Sequence, residues 1–233
     1  FITLSGLPVL QKKEKSTFEY LEYLQEVSFN NLSLVKNIPP YCFAYDYSLN
    51  KVIVTNCPSL TTIGSYAFED CSSLIIFNII DTGLTDICDH AFYKSGLRTL
   101  TINSCPDLSS IGEYAFANCK DLSEVYMSGT SKLKTIPPYC FSHDGSLSKF
   151  VFTNCLSLTT IGSYAFKDCS SLATFPFYEI YNLTDICDHA FAYSGLKIAD
   201  ICNCTELNNI HNYAFAHCKD LSQVDMSGLT SLT

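Results

Sequence analysis

With 233 residues, 47% of them hydrophobic and 16% charged, the chain has ample apolar material for a continuous core. Its net charge of −9 excludes the basic face that nucleic acid requires, and no apolar run is long enough for direct membrane insertion in this segment. There is no Pro/Gly/Ser-rich stretch at which to divide it, so a single domain over residues 1–233 is expected.

The first residues, Ile2-Thr3-Leu4-Ser5-Gly6, match Val224-Asp225-Met226-Ser227-Gly228 near the other end and read as a strand. A charged run at Gln11 to Lys15 looks like a break, yet Leu10, Phe18, Leu21, Leu24, Val27 and Phe29 fit a template that becomes explicit downstream, with Lys13 in place of its isoleucine. From Ile38 onward an isoleucine followed five residues later by phenylalanine recurs at 38/43, 63/68, 87/92, 111/116, 136/141, 161/166, 186/191 and 210/215. Each step is 24 or 25 residues, the signature of a repeat array.

The aligned units read Leu-x-x-Ile-x-x-x-Ala-Phe-x-x-Cys-x-x-Leu-x-x-Val-x-Ile, with Leu60, Ile63, Ala67, Phe68, Cys71, Leu74, Phe77 and Ile79 as one instance. Steps of three and four between Leu60 and Leu74 predict a tight helical or 3₁₀ arc, and the step of two from Phe77 to Ile79 predicts a strand. The pairs Val52/Val54, Leu100/Ile102, Val125/Met127, Phe150/Phe152 and Phe175/Phe177 repeat the strand signature. No unit can bury its own apolar face, so about nine units stack into a solenoid with one parallel sheet along one side. Both ends fall inside a repeat without a polar cap, and a segment of a longer chain is expected. A longer period lies over the short one: IPPYCF, IGSYAF and ICDHAF at Ile38, Ile63 and Ile87 return at Ile136, Ile161 and Ile186.

The thirteen cysteines follow the same lattice. Cys71, Cys119, Cys169 and Cys218 each lie three residues after the template phenylalanine and 14 residues after Cys57, Cys105, Cys155 and Cys204. Leu21 takes the first of these positions in the N-terminal unit, as suits a buried site where cysteine acts as a small hydrophobe. Free thiols in stacked ladders are the leading reading, and bridges across the 14-residue spacing are the alternative in an oxidising compartment. Zinc needs four converging ligands, and the close pair Cys202 with Cys204 does not supply them, so no metal is expected.

Candidates for catalysis dissolve into the repeat. His90 and His189 stand where Tyr66, Tyr114, Tyr164 and Tyr213 stand in other units, which reads as packing, and His143, His211 and His217 form no metal or catalytic motif. Asp86, Asp89, Asp185 and Asp188 read as solvated loop charges, and no phosphate-binding loop, dinucleotide fingerprint or nucleophile elbow is present. The chain is therefore expected to be neither an enzyme nor the holder of a cofactor. Asn31, Asn182 and Asn203 match the N-glycosylation pattern, Asn203 at a position expected to be buried.

The outward side of the strands is the remaining candidate for function. It carries Ile53, Thr55, Ile80, Asn103, Tyr126, Val151, Thr153 and Tyr178, a set poor in charge with interleaved apolar, hydroxyl and aromatic residues, as at protein contacts. The same composition also suits any strand.

The string Ile-Gly-Ser-Tyr-Ala-Phe-x-Asp-Cys-Ser-Ser-Leu, recurring every 24 or 25 residues over the whole chain, resembles the BspA-type leucine-rich repeat family. That resemblance implies an α/β repeat fold, a curved leucine-rich-repeat solenoid with its sheet on the concave face. It also implies a surface or secreted adhesion and interaction protein of bacteria or protists, with a protein or host-matrix ligand as partner. The alternative is an intracellular structural or cytoskeleton-associated repeat protein, with end-to-end or filament association. No catalytic residue carries over from the family pattern.

Overall fold

Alternating apolar and polar residues place every second side chain of each long strand inside, and in Lys51–Cys57 these are Val52 and Val54, with Ile53 and Thr55 outside. The computed structural model describes residues 2–3 and 23–232. In it Ile2–Thr3, Glu26–Asn30, Lys51–Cys57, Ile76–Thr82, Thr99–Asn103, Glu124–Ser128 and Lys149–Thr153 form a seven-stranded parallel sheet in chain order. The register aligns like with like: Val27, Val52, Phe77, Leu100, Val125 and Phe150 form one inward row. The template positions Leu10, Lys13, Phe18 and Leu21 lie outside the described residues, while Leu24, Val27 and Phe29 are buried as the template requires.

The template isoleucines make a second side. They sit in two-residue strands that pair in parallel as two four-stranded sheets, Asn37–Ile38 through Ser110–Ile111 and Thr135–Ile136 through Asn209–Ile210. The solenoid thus carries small sheets besides the long one.

The arc between the isoleucine and the next long strand is not helical, contrary to the expectation from its spacing. In each described coil the residue two places before the template phenylalanine and the residue two places after it adopt left-handed backbone, as at Tyr66 (φ 59°) and Asp70 (φ 53°) around Phe68. A right-handed helical run cannot pass through such residues. Their N–H groups, with that of the phenylalanine between them, point along the solenoid instead: Tyr66, Phe68 and Asp70 donate to Asp89, Ala91 and Tyr93 of the next coil at 3.2, 2.7 and 2.8 Å. The steps of three and four therefore record turns at a corner, hydrogen-bonded alternately within the coil and to the next one.

The long sheet also breaks once. Phe175 and Phe177 carry the strand signature, yet the segment forms a turn in which Phe177 N–H donates to Phe175 O at 2.9 Å, followed by a 3₁₀ turn, Phe177–Glu179. Pro176 between them has no N–H for the ladder, and its φ and ψ of −81° and 59° are those of an inverse γ-turn. Beyond the break a two-stranded sheet, Ile198–Asp200 with Gln223–Asp225, resumes the same side.

Inside, Phe43, Phe68, Phe92, Phe116, Phe141, Phe166, Phe191 and Phe215 form one column of stacked rings with centroids 5.0–5.5 Å apart. At the surface a parallel column of Tyr41, Tyr66, His90, Tyr114, Tyr139, Tyr164, His189 and Tyr213 stacks at 4.5–5.0 Å. His90 and His189 are ring-for-ring substitutes for tyrosine, as their template position predicts.

Candidate binding face

All thirteen cysteines are free thiols, nine of them buried and four half-buried. In one of their columns like does not meet like. The column three residues after the phenylalanine reads Asp46, Cys71, Ser95, Cys119, Asp144, Cys169, Ser194 and Cys218, so each thiol is separated from its like by a coil carrying another residue. Two coils span roughly 10 Å at strand spacing, beyond the Cα separation of about 4.4–6.8 Å that a disulfide tolerates. The thiols of Cys71, Cys119, Cys169 and Cys218 instead donate to the carbonyls of Phe43, Phe92, Phe141 and Phe191 at 3.0–3.2 Å. Burial pushes the Cys71, Cys119, Cys140 and Cys169 thiols well above their ordinary range, which keeps them protonated and unreactive.

Asp46 and Asp144, which the sequence reading passed over, stand fully buried in this thiol column. Asp144 Oδ1 accepts the Cys119 N–H at 2.8 Å, and its Oδ2 meets no donor among the described residues. Burial drives its carboxyl well above the carboxylate range, which favours the neutral acid, and that single N–H bond offsets only part of the rise. The only signal in the sequence was their recurrence three residues after Phe43 and Phe141.

The loop aspartates are more engaged than solvated charges would be. Asp86 and Asp185 accept the hydroxyls of Thr85 and Thr184 at 2.6 and 2.7 Å, and Asp89 accepts the Glu113 N–H at 2.9 Å. Hydrogen bonds from Thr184 and Asn209, with His211 beside it, hold the Asp185 carboxyl below its usual range. Asn203 is exposed, contrary to expectation: at this corner the asparagine turns outward and the following cysteine, Cys204, turns in. Asn31 and Asn182 are exposed as well, and the Asn182 side chain donates to Leu156 O at 2.7 Å.

The outward strand face brings seven of the eight candidate residues together in two files. One file runs Ile53, Asn78, Thr101, Tyr126 and Val151 and the other Thr55, Ile80, Asn103, Ser128 and Thr153, each step one strand over in the same register. Tyr178 does not join them. It is 60% exposed but lies on the 3₁₀ turn past the break, and Pro176, its neighbour in the expected strand, is buried.

Tyr126 is the best-anchored side chain of the face. Its hydroxyl donates to Glu124 Oε2 at 2.6 Å and accepts from Lys149 Nζ at 2.9 Å, and that ammonium lies 4.9 Å from the ring centroid. The bond to Tyr126 raises the Lys149 pKa. Around it Ile53, Ile80 and Val151 are half-buried, and the amide oxygen of Asn103 is enclosed without a donor among the described residues. The result is a fixed, nearly uncharged strip with one aromatic ring clamped at its centre, a surface that offers contact area and hydrogen bonds. Beside the strand starts lies an open depression of about 490 Å³, bounded by Tyr47, Asn50, Ile75, Arg98 and Asp121 among others.

The family described as the BspA type leucine rich repeat region matches in six copies over residues 7–123, 36–157 and 134–233. A solved leucine-rich repeat protein of T. pallidum is 23% identical, with a TM-score of 0.50 over 63% of this chain and 64% of that one. A leucine-rich cell surface protein of Faecalibacterium prausnitzii is 19% identical over 92% of this chain and 79% of that one, with a TM-score of 0.40. The pneumococcal vaccine antigen PcpA is 16% identical over 90% and 66%, with a TM-score of 0.44. No curated protein matches the chain.

Proposed function

The chain belongs to the BspA-type leucine-rich repeat family, and from that membership we propose a non-enzymatic scaffold, displayed at a cell surface or secreted, that holds a protein or matrix ligand on its outward strand face. The observation that carries this reading is the strip centred on Tyr126. Two files of side chains are held at strand spacing by a continuous ladder, so little conformational freedom is lost when a partner docks. Aromatic and aliphatic groups at its centre, with the charged side chains Glu26, Lys51, Glu124 and Lys149 at the strand starts, match the anatomy of protein contacts.

Binding to a panel of purified extracellular-matrix proteins by surface plasmon resonance tests it. A ligand that binds the wild type is expected to lose at least tenfold in affinity with Tyr126→Ala and more with Val151→Asp, while Tyr213→Ala, remote on the aromatic column, binds as before. Equal affinity of all three variants for that ligand would remove the strand face from the reading.

A further inference from the structure

The two copies of the four-coil block differ most tellingly on the strand face. Where the first copy has Thr101, Asn103 and Tyr126, the second has Asp200, Cys202 and Asp225, so three uncharged positions are replaced together by three groups that bind metal ions. The fold puts them side by side. Asp200 and Cys202 are two residues apart and face outward on one strand path, and Asp225 is the direct register partner of Asp200 on the next. One oxygen of each carboxylate and the Cys202 sulfur all lie within 4.8 Å of one another.

As it stands the arrangement is electrostatically unfavourable. Like charges directly opposite each other on paired strands destabilise a sheet. Among the described residues no lysine, arginine or histidine lies within ion-pair distance of Asp200 or Asp225 to relieve it. Asp225 Oδ1 accepts the Ser227 N–H at 2.9 Å, and the Ser227 side chain and N–H together hold the Asp225 carboxyl below its usual range. A divalent cation among the three groups removes the repulsion.

We propose that Asp200, Cys202 and Asp225 form a binding site for a thiophilic divalent cation, zinc or its close analogue cadmium. A sulfur donor beside two carboxylates selects these ions over magnesium and calcium, which take oxygen donors. Zinc–sulfur and zinc–oxygen bonds of about 2.3 and 2.0–2.2 Å require the three donors, now at most 4.8 Å apart, to close by no more than about an ångström, within reach of side-chain rotation at the surface. Three protein donors leave a fourth position of a tetrahedral ion for water. On binding, the Cys202 S–H bond breaks, the sulfur lone pair forms the metal bond, and the proton passes to buffer. Cysteine spacing misses this site because its other two donors are aspartates, one of them a full coil away.

Calorimetric titration of the full chain with Zn²⁺ in two buffers of different ionisation enthalpy is expected to show one site and the release of about one proton per ion. Titration with Cd²⁺ is expected to give the ultraviolet absorption of a cadmium–thiolate bond. Cys202→Ser should abolish that absorption and weaken Zn²⁺ binding at least tenfold, and Asp225→Asn should weaken it by a similar factor. Cys88→Ser, which alters another half-buried thiol, should leave both unchanged. All three positions are at the surface, and circular dichroism of each variant confirms the fold before titration. Wild-type affinity in Cys202→Ser, or a cadmium absorption that survives it, overturns the assignment.

Discussion

Phe116→Ala probes the packing of the solenoid at its centre. The ring is fully buried between Phe92 and Phe141, at centroid distances of 5.2 and 5.3 Å and interplanar angles of 12° and 8°. Removing a buried phenylalanine ring costs about 3–5 kcal/mol, more where the surroundings cannot collapse into the space. Here they cannot, because the Phe92 N–H bond to Ala115 O and the Phe116 N–H bond to Cys140 O, 2.8 and 3.0 Å long, fix the spacing of the flanking coils. A loss of about 4–5 kcal/mol is therefore expected. Phe215→Ala is the internal control. That ring is only partly buried and stacks on one neighbour in the column, Phe191, so its loss should be about 1–2 kcal/mol. Equilibrium unfolding in urea measures both, followed by far-ultraviolet circular dichroism and by tyrosine fluorescence, since the chain has no tryptophan. Because each coil contacts only its neighbours, a weakened central interface should also split the transition into two. A loss below about 1 kcal/mol at Phe116, or equal losses at the two positions, would refute the reading of Phe116 as a ring locked between two coils that cannot close on the space.

Two further outcomes follow from the thiol column. Burial raises the folded pKa of Asp144 above that of the unfolded carboxyl, so its contribution makes stability highest below the unfolded carboxyl's pKa. Stability then falls by about 1.4 kcal/mol per pH unit as pH rises toward the folded value. Asp144→Cys, which copies the residue found in alternate coils, should flatten that slope between pH 4 and 7 and raise stability at neutral pH, as read by thermal melts across the range. The Cys119 N–H freed by this change can bond within its own turn, as the Cys169 N–H does to Phe166 O at 3.3 Å. An unchanged slope would mean that Asp144 ionises in place. Thiol titration of protein isolated under non-reducing conditions should find thirteen reactive groups after denaturation and, in the native state, fast reaction at no more than the four half-buried cysteines. Paired cysteines in that material would contradict the ladder of free thiols and favour an oxidising compartment.

The period of 24 or 25 residues was enough to establish the repeat, its register and almost every buried position, because stacking forces each template residue onto its copy in the next coil. The recurrence of buried cysteine positions and the tyrosine–histidine column followed from the same constraint. Tertiary structure decided the rest. Spacing of three and four is common to a helix and to a corner built from left-handed residues, and only the direction of the N–H groups of Tyr66, Phe68 and Asp70 separates them. Phe175 and Phe177 remain buried whether or not they lie in a strand, so the apolar pattern cannot report that Pro176 breaks the ladder and sets Tyr178 apart from the binding strip. The nearness of Asp225 to Asp200 and Cys202 likewise depends on a pairing one coil apart. A repeat sequence specifies what its core must contain, and leaves the outward residues free until the register of the strands decides which of them meet.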